Sequence, residues 1–303
     1  MTSDSFPLIV LQPRLGPRQD WDGVRIHGAG SADATTLHRL FDEFGLAEAS
    51  AGLVCLLPAS AIERLDTALL PSGLVLQPAN DDPGAARPQP PQPGARSGPK
   101  QTMLLKLLGQ ITRDAETREI EATLKHDPQL LVQLLRLVNS VAFAPNTRIN
   151  SFAHAITLLG RRQLQRWLQL LLYASQTSAT GGNPLLASAA MRAALMEGLC
   201  KATGGDQAAQ DQAFMIGMFS QLEALFSQPL ATIIAPLQLA AAIGAALLQH
   251  SGTMGDLLTL VEAAELGPDE VAPALRQAGI GKEIWCKAQV QALRWTMQVS
   301  RES

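Results

Sequence analysis

A histidine beside an aspartate is the pair in this chain best suited to hydrolysis, because imidazole and carboxylate together can ligate a divalent ion that activates water. His126-Asp127 is that doublet. Pro128 changes its meaning: Asp-Pro is an N-cap followed by proline at the first helical position, and no His-rich segment follows to complete a metal site. His27, His38, His154 and His250 stand alone in separate segments and read as surface or satisfied histidines. Cys55, Cys200 and Cys286 are far apart with no CxxC pair, so they read as buried, reduced small hydrophobes. A nucleophile motif of the GxSxG type is absent, and the Gly181-Gly182 and Gly204-Gly205 pairs lack the lysine of a phosphate loop.

The densest polar feature is GRRQLQRW, in which Arg162 and Arg166 lie one helical turn apart with Arg161 beside them. Leu164, Trp167, Leu168, Leu171 and Leu172 take the core side of that helix. The guanidinium groups then either bind a carboxylate or phosphate, as an anion or partner site, or pair with acids elsewhere in the chain.

These residues must be positioned by the elements around them, and composition divides the chain once. Residues 78–100 carry seven prolines and no large hydrophobe, which predicts a partly extended, mobile linker. The linker separates a segment 1–77 from a segment 101–303. In the first, apolar runs at Leu8–Leu11, Leu53–Leu57 and Leu74–Leu76, with a further strand at Val24–His27, alternate with helical patterns over Asp33–Phe44 and Ser60–Leu70; a small α/β module is expected. The second reads as helical almost throughout, with helices at Met103–Thr112, from Asp127, Ser151–Leu159, Arg161–Ser175, Pro184–Ala202, Gln207–Phe226, Pro236–His250, Met254–Leu266, Asp269–Gln277 and Lys282–Arg301. Aromatics are 4% of the 303 residues, so leucine and alanine must build the core.

Net charge is −3, which gives no whole-protein reason to expect nucleic acid or an anionic membrane as partner. Charge is nevertheless uneven: residues 101–175 hold nine basic against five acidic side chains, and residues 176–303 hold seven against eleven. The N-terminus lacks a basic region before its short apolar run, and no apolar stretch is long enough to span a bilayer. A cytoplasmic protein without a membrane segment is expected.

The stretch from Leu131 to Ala174 resembles the N-terminal half of an HDOD domain, the HD-related output domain of bacteria. The markers are Asp127-Pro128, the LLRLVNS run ending at Asn139-Ser140, Phe143, Ile149, the run from Ala155 to Gly160, and the arginine pair after that glycine. The likeness continues through AFMIGMFS, Ala213–Ser220, and LLTLVEA, Leu257–Ala263. It implies an all-α HD-like domain over 101–303. Catalytic HD proteins carry a His-Asp doublet in the helix matching Gln207–Phe226; Ser220-Gln221 stand there in this chain. Of the other metal positions, one histidine falls near Ser188 and a later aspartate near Glu262.

Residues 6–77 resemble the start of an EAL domain, the fold of cyclic-di-GMP phosphodiesterases. The likeness rests on Val10-Leu11-Gln12-Pro13, Glu43-Phe44-Gly45-Leu46 and the run from Gly52 to Pro78. The metal-binding positions of that family fall at Val24–His27, where Arg25 replaces the glutamate, near Cys55–Leu57, and at Gln77. A truncated, degenerate EAL-like module is expected, since a complete barrel takes roughly 250 residues. Together the two resemblances imply a non-catalytic bacterial signalling protein with neither metal nor other cofactor. Its HDOD domain would bind a protein partner or effector, in a setting of cyclic-di-GMP type; the alternative is a residual phosphohydrolase or a nucleotide sensor.

Overall fold

The computed structural model describes residues 6–16, 21–66, 70, 74–79, 99–124, 184–302 and, within 160–173, all but 161, 163 and 167. Among the described residues helices dominate, with one four-stranded sheet near the N-terminus. Strands β1 (Val10–Leu15), β2 (Trp21–His27), β3 (Val54–Leu57) and β4 (Val75–Pro78) lie side by side in chain order. The first pair is antiparallel and the other two are parallel. Gly28 follows β2 at φ +80°, where a Cβ would sit 1.9 Å from the Leu8 carbonyl oxygen, so only glycine turns the chain there.

Between β2 and β3 lie the short helices α1 (Ala34–His38) and α2 (Leu46–Ala49), joined by a π turn over Arg39–Glu43. Asp33 caps α1 by accepting the Thr36 amide at 2.7 Å. Helix α3 (Ala59–Arg64) connects β3 to β4 and is shorter than the Ser60–Leu70 pattern suggests. The register places Arg25 opposite Leu56 and Leu56 opposite Gln77, one row across three parallel strands.

The helical part comprises α4 (Pro99–Thr112), α5 (Thr117–Leu124), helical residues within 160–173, α6 (Pro184–Ala202), α7 (Gln207–Phe219), α8 (Leu222–Phe226), α9 (Leu230–Ile234), α10 (Ala241–Gln249), α11 (Gly252–Leu266), α12 (Pro268–Ala278) and α13 (Lys282–Glu302). Pro99 and Lys100 already belong to α4, so the linker is shorter than 78–100 at that end, and β4 runs to Pro78 at the other. The expected continuous helix Gln207–Phe226 is interrupted at Ser220-Gln221, where Gln221 leaves helical geometry at φ −104°, ψ 8°. The expected Pro236–His250 helix starts only at Ala241, after a 3-10 turn over Ala235–Leu237 with proline in its first turn. His126-Asp127, the helix that Asp127 would cap, the Ser151–Leu159 helix and most of the linker lie outside the described residues.

Helices α6 and α7 pack with little space between them: a Cβ on Gly217 would lie 2.6 Å from the Ala193 Cα. The core is built of leucine, alanine and methionine, with Tyr173, Phe214, Phe219 and Trp285 fully buried, as the scarcity of aromatics requires. Cys55, Cys200 and Cys286 are buried free thiols. Burial pushes the Cys286 thiol up to about 12, so it is not a nucleophile at neutral pH.

The α/β module and the helical part meet on α13. Cys286, Val290 and Leu293 join the apolar cluster of Ile9, Leu11, Phe41 and Leu57. The Gln289 side chain pairs with the edge of β1 as a strand would: its Oε1 accepts the Leu11 amide at 2.8 Å and its Nε2 donates to the Ile9 carbonyl at 3.0 Å. The Trp285 indole donates to the same carbonyl at 3.0 Å. A sheet edge that would otherwise stay open is closed by side chains. Charged contacts at its rim pair Arg39 with Glu283 at 2.7 Å and Arg294 with Glu48 at 2.9 Å.

Candidate functional site

Two arginine–carboxylate clusters are built on α6. In one, Arg162 and Arg166 project from the helical 160–173 segment toward Glu197 of α6 and Asp211 of α7. Arg162 Nε donates to Asp211 at 2.5 Å, and Arg166 donates to Glu197 and, at 3.3 Å, to Asp211. The Arg166 guanidinium also lies 4.4 Å from the centre of the Phe214 ring, which meets Trp295 edge-on. The pair that spacing put on one face is therefore on one face, engaged by carboxylates of the same chain, while Arg161 lies outside the described residues. An anion reaching this face would have to displace Glu197 or Asp211.

The second cluster surrounds the interruption between α7 and α8. Ser220 and Gln221 occupy it, flanked by Phe219 and Leu222, both fully buried. Gln221 is 8% exposed and donates through Nε2 to Ser188 Oγ of α6 at 2.6 Å; its Oε1 has no partner among the described residues. Ser220 Oγ donates to the Gly217 carbonyl at 2.8 Å and accepts from Arg192 Nη1 at 2.9 Å. Thus Ser188, Ser220, Gln221 and Glu262, the four positions singled out by the HD resemblance, are linked through direct contacts and through Arg192.

Arg192 lies one turn beyond Ser188 on α6. Its Nε and Nη2 grip the two Glu265 oxygens at 2.6 and 2.8 Å, and Nη1 reaches Glu262 at 2.8 Å. Glu262 and Glu265 are nearly one turn apart on α11, so that helix offers both carboxylates to one guanidinium. Burial, the largest influence on Arg192, opposes its charge; the Glu265 hydrogen bonds and the charges of Glu265 and Glu262 prevail and hold its pKa above the ordinary arginine value. Burial likewise pushes the Tyr173 hydroxyl far up, and it donates to the Met218 carbonyl. His250, at the left-handed end of α10, meets Glu262 at 2.8 Å. The α/β module touches the cluster too: Gln12 Nε2 donates to the Glu265 carbonyl at 3.2 Å and its Oε1 meets His27 at 2.9 Å.

The HD resemblance implies a divalent metal at this place, and the residues present do not fit one. A guanidinium already donates to Ser220 and Glu262, so a second cation there would meet a fixed positive charge at short range. Among the described residues no group of three His, Cys, Asp or Glu side chains is arranged to hold a metal ion. Sequence reasoning missed Arg192 and Glu265. The available signal was a lone charged residue within the apolar first thirteen residues of α6, PLLASAAMRAALM, which needs a partner when it is buried.

Residues 101–230 match the HDOD domain family, and the chain carries an HDOD domain there. Glu262, Glu265 and His250 lie C-terminal to the matched region. The chain is similar to a Vibrio cholerae protein named cyclic di-GMP phosphodiesterase CdgJ, 27% identical over 205 residues, 67% of this chain and 47% of that protein. It is also similar to a Bacillus subtilis protein named uncharacterized protein YuxH, 26% identical over 193 residues, 63% of this chain and 46% of that protein. The matched part spans about half the length of these curated relatives. No solved structure matches the chain. Among the described residues no helix is long and apolar enough to cross a membrane.

Proposed function

We propose that this protein is a non-catalytic signalling protein whose HDOD domain works by binding, in a cyclic-di-GMP type of regulation, with a truncated EAL-like module docked on it. The observation that carries the reading is the fate of the doublet position: Ser220 and Gln221 are held by hydrogen bonds to Arg192 and Ser188, and neither offers a metal the imidazole and carboxylate that water activation needs. The relative named as a cyclic di-GMP phosphodiesterase supports the signalling context. The register supports an EAL origin for the sheet: Arg25 and Gln77, two positions that the resemblance assigns to metal ligands, lie opposite the same residue, Leu56, within the Cys55–Leu57 stretch to which it assigns a third. A protein partner or a nucleotide effector is the expected ligand. The test is turnover of cyclic di-GMP and a panel of phosphoesters by the full chain with Mg²⁺ or Mn²⁺. No turnover above the protein-free rate is expected, and turnover abolished by Glu262→Gln would overturn the reading.

A further inference from the structure

We infer that the Arg192 guanidinium is the resident cation of the former metal centre, holding together through its own charge the positions that a divalent ion would otherwise join. The inference rests on the non-catalytic reading and deepens it by assigning the group that replaces the metal. Its four donated hydrogen bonds, of 2.6 to 2.9 Å, reach Ser220 at the end of α7 and Glu262 and Glu265 on α11. Arg192 itself is on α6, so one side chain ties three helices. Its side chain is 13% exposed, against 31% and 41% for the two glutamates, so the charge sits at the inner end of the cluster and the carboxylates reach in from the rim.

Electrostatics favour this arrangement over two uncompensated carboxylates. Removing the guanidinium leaves Glu262 and Glu265 side by side, with His250 on Glu262; restoring a cation should relieve their repulsion. A divalent ion is then a chemically reasonable substitute for the lost side chain, because carboxylate and imidazole are ligands that Mn²⁺ accepts. Lysine provides the charge but cannot make the bidentate bond to Glu265.

Thermal melts of the full chain, of Arg192→Ala and of Arg192→Lys, each with and without MnCl₂, test this. Arg192→Ala is expected to lower Tm by on the order of 10 °C. Arg192→Lys should fall between Arg192→Ala and the parent. Mn²⁺ at a hundredfold excess over its Kd should return about 5 °C to Arg192→Ala and leave the parent unmoved. An Arg192→Ala protein that melts with the parent, or that melts lower without responding to Mn²⁺, overturns the inference.

Should Arg192→Ala not fold, a neutral set decides. Glu262→Gln/Glu265→Gln strands a buried guanidinium, and adding Arg192→Met to that pair should raise Tm above that of the double variant. An equal or lower Tm overturns the inference. Turnover of cyclic di-GMP by the parent protein would instead sink the non-catalytic reading, whereas adverse melts without turnover would sink only the role of Arg192.

Discussion

Both arginine clusters rest on α6, yet they are built differently. Arg192 is 13% exposed and donates to two glutamates and a serine in one inner cluster, whereas Arg162, at 40%, shares Asp211 and Glu197 with Arg166, at 19%. Exposed pairs contribute little because water and salt screen them, while a desolvated charge is costly to strand once its partner is lost. The inner cluster is therefore a structural joint. In the outer one Arg162 is the solvent-screened member, while Arg166 and Glu197, at 19% and 22%, are nearly as buried as Arg192.

The contrast can be broken most severely at the contact both clusters depend on. Gly217→Leu drives a side chain into the Ala193 backbone and should destabilise the protein by about 3 kcal/mol or more, measured by denaturant unfolding. Arg166→Ala loses its two carboxylate partners and the Phe214 face, and is expected to cost about 1–2 kcal/mol. Equal losses for Arg166→Ala and Arg192→Ala would erase the distinction between the clusters. Arg162→Ala should stay within about 1 kcal/mol, its effect shrinking further in high salt.

The smallest effect concerns the rim of the module contact. The Lys287 hydrogen bond, together with Arg39, holds the Glu283 carboxyl below the usual glutamate range. Its contribution is thus present above the unfolded-state value and is lost as pH falls through the lowered folded-state value. Glu283→Gln should remove that part of the acid dependence, a Tm difference of about 2 °C or less that vanishes at the acid end.

Much of the fold could be read locally. Helix α6 begins at Pro184 and ends before a glycine pair, α11 closes at Gly267, and all three cysteines are buried as an apolar reading requires. The interruption at Ser220-Gln221 was not legible, because the apolar spacing continues unbroken from Phe219 to Leu222 and the break depends on what Gln221 meets across the core. The strand expected at Leu8–Leu11 begins at Val10 and runs to Leu15, because its partner β2 ends at His27, opposite Val10, where Gly28 turns the chain away.

The site divides in the same way. Helical periodicity brought Arg162 and Arg166 together, and the domain resemblance brought Ser188, Ser220, Gln221 and Glu262 together. Their partners Glu197, Asp211 and Glu265 come from other helices, and no local spacing points to them. Arg192 lay within the very segment singled out for Ser188, but its meaning depends on two glutamates 70 and 73 residues further on.

The most direct measurement of the central claim is a titration of the intact protein with Mn²⁺ followed by electron paramagnetic resonance, which reads the free ion. With a guanidinium already in the centre, the signal should match that of buffer at every ratio. Loss of one equivalent of free Mn²⁺ per chain, restored by Glu262→Gln, would contradict the account.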